Sequence, residues 1–115
     1  MAAERKVLHL DQIEQEELHG GGIVRRIITK ETTGIDITFS QATLTPGAGH
    51  RWHTHENEDE AVFILSGNGT MFFEDQEVKY GPKMAIVIPR GVCHQNINTG
   101  EEDVILVSMF NPAIR

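Results

Sequence analysis

Pro46-Gly47-Ala48-Gly49-His50-Arg51-Trp52-His53-Thr54-His55-Glu56-Asn57-Glu58-Asp59-Glu60 leads directly into Ala61-Val62-Phe63-Ile64-Leu65-Ser66-Gly67. One residue separates His53 from His55. Alternate side chains of a strand share a face, so imidazoles at this spacing project together. Glu60 opens the apolar run that follows, where a short turn would return the chain antiparallel and bring a carboxylate to the same point. Two nitrogen donors and one carboxylate converging on one point commonly hold a divalent transition metal. By itself, His-x-His beside acids also describes a solvated surface loop, and a second stretch decides between the two. Ile86-Val87-Ile88-Pro89-Arg90-Gly91-Val92-Cys93-His94-Gln95-Asn96-Ile97-Asn98 reads as an apolar strand, a tight turn and a histidine opening the next strand. Proline sets φ in such a turn and glycine tolerates unusual φ. His94 would supply a third imidazole.

Together the two stretches resemble the cupin superfamily. The first family motif, G-x5-H-x-H-x(3,4)-E-x6-G, is matched by Gly47, His53, His55, Glu60 and Gly67 with every spacing kept. The second, G-x5-P-x-G-x2-H-x3-N, is matched by Pro89, Gly91, His94 and Asn98. Its opening glycine is displaced: Lys83 stands at that position and Gly81 comes two residues early, which reads as a longer turn at Gly81-Pro82. The motif stretches run over 47–67 and 81–98. The resemblance implies an all-β fold, a double-stranded β-helix of jelly-roll type, as a single cupin domain over 1–115. It further implies dioxygenases, isomerases, decarboxylases and lyases as reaction classes.

The rest of the sequence agrees with one all-β domain. A chain of 115 residues supports one modest core, and 11 glycines suit a turn-rich protein. With 17 acidic and 10 basic residues the net charge is −7, which argues against nucleic acid and against an anionic membrane surface as partners. The single cysteine, Cys93, forms no internal disulfide, so a reducing cytoplasm is the expected location. The first eighteen residues lack a secretory apolar core, and no apolar run approaches membrane-spanning length.

Residues 1–6 read as a mobile start. Val7 to Leu10 suggests an edge strand, with Asp11 capping a single helical turn through Ile13. Thr32-Thr33-Gly34 reads as a turn. From Ile35 the chain alternates, with Ile35, Ile37 and Phe39 on one face. Asp36, Thr38, Ser40, Ala42 and Leu44 lie on the other, small and polar as a cavity wall would be. Glu60, Val62 and Ile64 should face the metal side, and Ala61, Phe63 and Leu65 the opposite side. Apolar residues on both faces mean both are covered, by a second sheet or by a partner subunit. A homodimer is therefore expected. Asn68-Gly69 is a strong hairpin signal. Nine to eleven short strands are predicted.

The candidate metal ligands are His53, His55, Glu60 and His94. Three imidazoles and a carboxylate leave about two open positions on an octahedral ion, as catalysis requires. The donors suit one Fe, Mn, Ni, Co or Zn ion per chain without choosing among them. Strand parity places Arg51 inward beside His53, as a clamp for a substrate oxyanion, and His50 and Trp52 outward. Glu60 and Arg51 are the candidate catalytic residues. Asn96 and Asn98 share the parity of His94, while Cys93 points away as a buried thiol. Either Leu106, Ser108 and Phe110 or Ile105, Val107 and Met109 line the cavity. Tyr80 is a possible proton donor, though distant in sequence from both motifs. The function expected is a metal-dependent enzyme on a small molecule, a dioxygenase or a proton-transferring isomerase or lyase. The alternative is a non-catalytic sugar- or metabolite-binding cupin.

Overall fold

The structure, a computed structural model, describes residues 5–115. Most of the stretch expected to be mobile, residues 1–4, lies outside the described residues. Ten strands follow in chain order: β1 (Glu16–Glu17), β2 (Ile23–Ile28), β3 (Thr38–Leu44), β4 (Gly49–His53), β5 (Asp59–Ser66), β6 (Gly69–Phe73), β7 (Glu77–Tyr80), β8 (Ala85–Ile88), β9 (His94–Ile97) and β10 (Val104–Asn111). They form a six-stranded sheet ordered β1-β2-β3-β10-β5-β8 and a four-stranded sheet ordered β4-β9-β6-β7. Every pairing is antiparallel. From β3 onward the chain passes repeatedly between the sheets, the winding of a double-stranded β-helix.

Alternation makes the sandwich. Along β3, Thr38, Ser40, Ala42 and Leu44 are buried while Phe39, Gln41 and Thr43 are only partly covered, as their parity predicts. Val62 and Ile64 of β5 point inward and Ala61, Phe63 and Leu65 outward, also as predicted. Leu44, Ile64, Val104 and Met71 meet between the sheets with at most 1% exposure. Burying an aliphatic side chain of this size contributes about 1.5–3 kcal/mol, so these four anchor the interior.

Several local expectations are corrected. Val7 to Leu10 is not a strand; a 3₁₀ turn over Leu10–Gln12 is capped by His9, whose Nδ1 accepts from the Asp11 amide, so Asp11 is not the cap. Thr32-Thr33-Gly34 belongs to a short helix, α1 (Lys30–Thr33), whose start is capped by the Thr29 hydroxyl and whose end is Gly34 in the left-handed region. Strand β3 begins at Thr38, leaving Ile35 exposed. The Asn68-Gly69 hairpin does not form, because β5 and β6 lie in different sheets. A type I′ hairpin needs positive φ at both central residues. Here Gly67 is the left-handed residue, with φ 87°, and the chain crosses over instead. For the same reason Glu60 does not return antiparallel to His53: β4 and β5 belong to opposite sheets. No helix among the described residues is long and apolar enough to cross a membrane.

Candidate metal centre

The four predicted ligands come from both sheets. His53 ends β4, His55 follows in the connection to β5, and His94 opens β9 beside His53 in register. Glu60 comes from β5 across the sandwich. One nitrogen from each of His53, His55 and His94 lies within 4.8 Å of the other two. The Glu60 carboxylate approaches this group through Oε1, 3.3 Å from His94 Nε2.

Backbone contacts fix the ring orientations. His53 Nδ1 lies 2.6 Å from the Arg51 carbonyl oxygen and His94 Nδ1 2.9 Å from that of Val92. A carbonyl oxygen can only accept, so both Nδ1 atoms carry a proton, and in the neutral rings Nε2 is left with the lone pair. This is the usual support of a metal-bound histidine. The two motifs are also tied together: the Gly91 amide donates to the His55 carbonyl at 2.8 Å, and Arg90 clamps Asp59, the neighbour of Glu60, with two guanidinium bonds.

The residues fit a divalent cation. Glu60 Oε1 is buried and lies 3.3 Å from His94 Nε2, which can donate to it only when that ring is protonated; with the ring neutral the oxygen has no hydrogen-bond donor among the described residues. A buried carboxylate oxygen left unpaired is costly, and a cation shared with three imidazoles would compensate it. The histidine protonation tendencies diverge. Burial lowers the affinity of His55 for a proton, only partly offset by Glu60. Burial acts the same way on His94, but contact with Glu60 and the Val92 carbonyl outweighs it and raises that residue's pKa.

The centre opens into a cavity of about 150 Å³. Its walls include Val24, Ala42, Val62, Leu106 and Phe110, with polar groups from Ser40, Ser108 and Asn96. Of the two faces weighed for β10, Leu106, Ser108 and Phe110 line the cavity. Asn96 also lines it, and its Oδ1 accepts a 2.6 Å hydrogen bond from the Tyr80 hydroxyl. Tyr80 is buried, and its pKa is pushed up to about 12 chiefly by that burial, so it donates across the neutral range. Its Oδ1 thus engaged, Asn96 has its NH₂ free for the cavity. Asn98 does other work: Nδ2 donates to the Leu44 and Glu102 carbonyls at 2.8 and 2.7 Å, and Oδ1 accepts from Gly100, tying loops together.

Two residues trade places with the sequence expectation. Arg51 is exposed, with Nη2 3.3 Å from His19 Nδ1, and does not line the cavity; His50 does. The cause is a register shift in the β4–β9 pairing: His50 pairs with Asn96 and His53 with His94, leaving two residues opposite one. Such a bulge reverses parity beyond it. His50 keeps solvent contact at the mouth, while burial against the cavity wall and the neighbouring His53 lower its pKa. Trp52 faces outward at 48% exposure, as predicted. Cys93 turns away from the centre but is only half-buried.

A cupin-domain family profile matches residues 40–110. The chain belongs to the cupin superfamily. This cupin is 29% identical over 93 residues to Protein SchB of Streptomyces halstedii, covering 80% of this chain and 67% of SchB. It is 30% identical over 87 residues to germin-like protein subfamily 3 member 1 of Arabidopsis thaliana, covering 70% of this chain and 41% of that protein, so it spans well under half of the germin-like relative. Among solved structures, one described as a predicted oxalate decarboxylase from Thermotoga maritima superposes with TM-score 0.84 at 23% identity, covering 93% of this chain and 99% of that one. The polyketide cyclase RemF from Streptomyces resistomycificus superposes with TM-score 0.82 at 18% identity, covering 94% and 80%. These structural likenesses establish the fold, and among the neighbours are proteins described as enzymes of different reaction types.

Proposed function

We propose that this cupin is a metal-dependent enzyme acting on a small organic molecule, with His53, His55, Glu60 and His94 holding one divalent Fe, Mn, Ni, Co or Zn ion. The observation that carries the reading is the buried, unpaired Glu60 oxygen directed at three converging imidazoles. The bound ion would supply Lewis-acid stabilisation of a substrate oxyanion, or a site for dioxygen. The chain contributes the rest. Asn96 offers its NH₂ to a substrate oxygen. The apolar walls hold the substrate body and exclude water. A cavity of about 150 Å³ accepts a molecule of roughly benzene size.

Of the two reaction classes such a centre serves, proton transfer in an isomerase or lyase is favoured over dioxygenation. His50 is an imidazole on the cavity wall that the ligand set does not use, and either ring nitrogen can take a proton from the substrate and return it. The test is to incubate the purified protein with small dicarbonyls, phenols and unsaturated acids in deuterated buffer, following deuterium uptake by NMR and oxygen by electrode. Deuterium uptake lost in His50→Ala supports proton transfer. Stoichiometric oxygen consumption without exchange supports a dioxygenase. Neither reaction with any compound, while ligands still bind, would favour the non-catalytic alternative.

A homodimer forms part of the same proposal. Phe63, Leu65, Val87 and Met109 are 41%, 49%, 71% and 40% exposed on the outer face of the six-stranded sheet. Register makes them contiguous: Ala61 lies between Met109 and Val87, and Phe63 between Val107 and Ala85. A second copy laid on this face would cover it.

A further inference from the structure

We infer that Arg26 forms an anion-binding subsite facing the metal centre, and that the molecule this cavity takes is a small carboxylate. Arg26 sits on β2 and lines the cavity together with His50, the three ligand histidines and Glu60. Among the lining residues Arg26 is the one guanidinium and Glu60 the one carboxylate. Register places them apart. Arg26 pairs with Ser40, Ser40 with Ser108 and Ser108 with Val62, while Glu60 lies two residues along from Val62. Three strand spacings separate the backbones by roughly 14 Å before sheet curvature, and the long arginine side chain reaches inward over part of that span. A ligand touching both ends would have its anionic group and its metal-bound oxygen on opposite sides of a small body.

The guanidinium is paired with Glu16 but not hydrogen-bonded to it. Glu16 accepts a 3.0 Å hydrogen bond from Arg115 Nη1, whereas its other oxygen lies 3.6 Å from Arg26 Nε, beyond hydrogen-bond distance. Arg26 Nε is buried and has no hydrogen-bond partner among the described residues. Arg115 and Arg26 both approach the one Glu16 carboxylate, so Glu16 does not saturate the Arg26 guanidinium. A guanidinium on the cavity wall of a chain with net charge −7 favours an acid over a neutral ligand at that wall. Guanidinium matches the planar fork of a carboxylate. The apolar walls from Val24, Ala42, Val62, Leu106 and Phe110 suit an organic body carrying one such group better than a bare phosphate.

The inference rests on the cavity being a substrate pocket but not on the reaction class. The test is an NMR titration of the purified protein with benzoate, with the neutral isostere benzamide and with inorganic phosphate, each sample also analysed for metal. Benzoate should bind at least about tenfold more tightly than benzamide, and Arg26→Gln should remove that preference while Arg26→Lys keeps part of it. Glu16→Gln should tighten benzoate, because it releases Arg26 from its competing partner; a purely structural role for Arg26 predicts no such gain. Equal binding of benzoate and benzamide, no benzoate binding, or an unchanged preference in Arg26→Gln would overturn the subsite. Phosphate binding as tightly as benzoate would overturn its assignment to carboxylates. A preference that depends on Arg26 in protein lacking metal supports the subsite and counts against the metal reading alone.

Discussion

Replacing Tyr80 with phenylalanine isolates one buried hydrogen bond that connects the four-stranded sheet to the cavity. The hydroxyl donates to Asn96 Oδ1 at 2.6 Å, and both residues are at most 5% exposed. Gly69 leaves the room the hydroxyl occupies, because any side chain there would meet it. Phenylalanine keeps the packing but leaves Oδ1 buried without a donor. That costs about 1–3 kcal/mol, reduced by no longer having to desolvate a hydroxyl, so the net loss is about 1–2 kcal/mol. At an unfolding entropy of about 2.1 cal/mol/K per residue, Tm falls by about 4–8 °C. Urea denaturation at pH 7 measures the loss, and the Asn96 side-chain amide resonances report whether that group has turned. The pH dependence adds a second check. Tyr80 binds its proton more tightly folded than unfolded, with a folded pKa of about 12, so its contribution is complete below pH 10 and is lost as pH rises through 12. Wild type should therefore lose stability across that window relative to Tyr80→Phe. A change below about 0.3 kcal/mol at pH 7 with unmoved Asn96 resonances would refute the reasoning.

Three further outcomes are expected. Lys83→Gly should stabilise the protein by about 0.5–1 kcal/mol in urea, since Lys83 holds φ 70° where an ordinary side chain is strained. Val87→Glu should convert the proposed dimer to monomer in light scattering and lower the thermal transition by removing the association; a dimer surviving that charge would place the interface elsewhere. Arg90 holds the Asp59 carboxyl below its usual 3.8 through side-chain hydrogen bonding. A carboxylate depressed on folding contributes stability above its unfolded pKa and loses it as pH falls through the folded one. The small gap between wild type and Arg90→Ala should therefore be present at pH 5 and close below pH 3.8 in an acid titration followed by circular dichroism.

The clustering of His53, His55 and His94 was legible because cupin motif spacing brings these residues together without reference to tertiary structure. The inward face of β3 was legible because Thr38, Ser40, Ala42 and Leu44 keep a strict period of two, and Ser40 and Ala42 of that face line the cavity. What parity could not carry was the bulge between His50 and His53, which turns Arg51 away from the cavity and sets His50 at its mouth. Gly47 and Gly49 signal a disturbed strand but do not locate the extra residue. Arg26 escaped for a different reason. Ile23-Val24-Arg25-Arg26-Ile27-Ile28 is apolar on both parities and carries an arginine on each, so the inward one cannot be chosen locally. The pairing of Arg26 with Ser40, on the polar inward face of β3, makes that choice. The Asn68-Gly69 hairpin signal was outweighed by Gly67 taking the left-handed φ one residue earlier.

The most direct test of the account is elemental analysis of untagged protein purified without chelator, beside His53→Ala/His94→Ala. The account predicts near one equivalent of a divalent transition metal in the wild type and its loss in the double variant, with both proteins folded by circular dichroism. Wild-type protein that holds no metal after reconstitution with Fe, Mn, Ni, Co or Zn, or a double variant that retains a full equivalent, would contradict it.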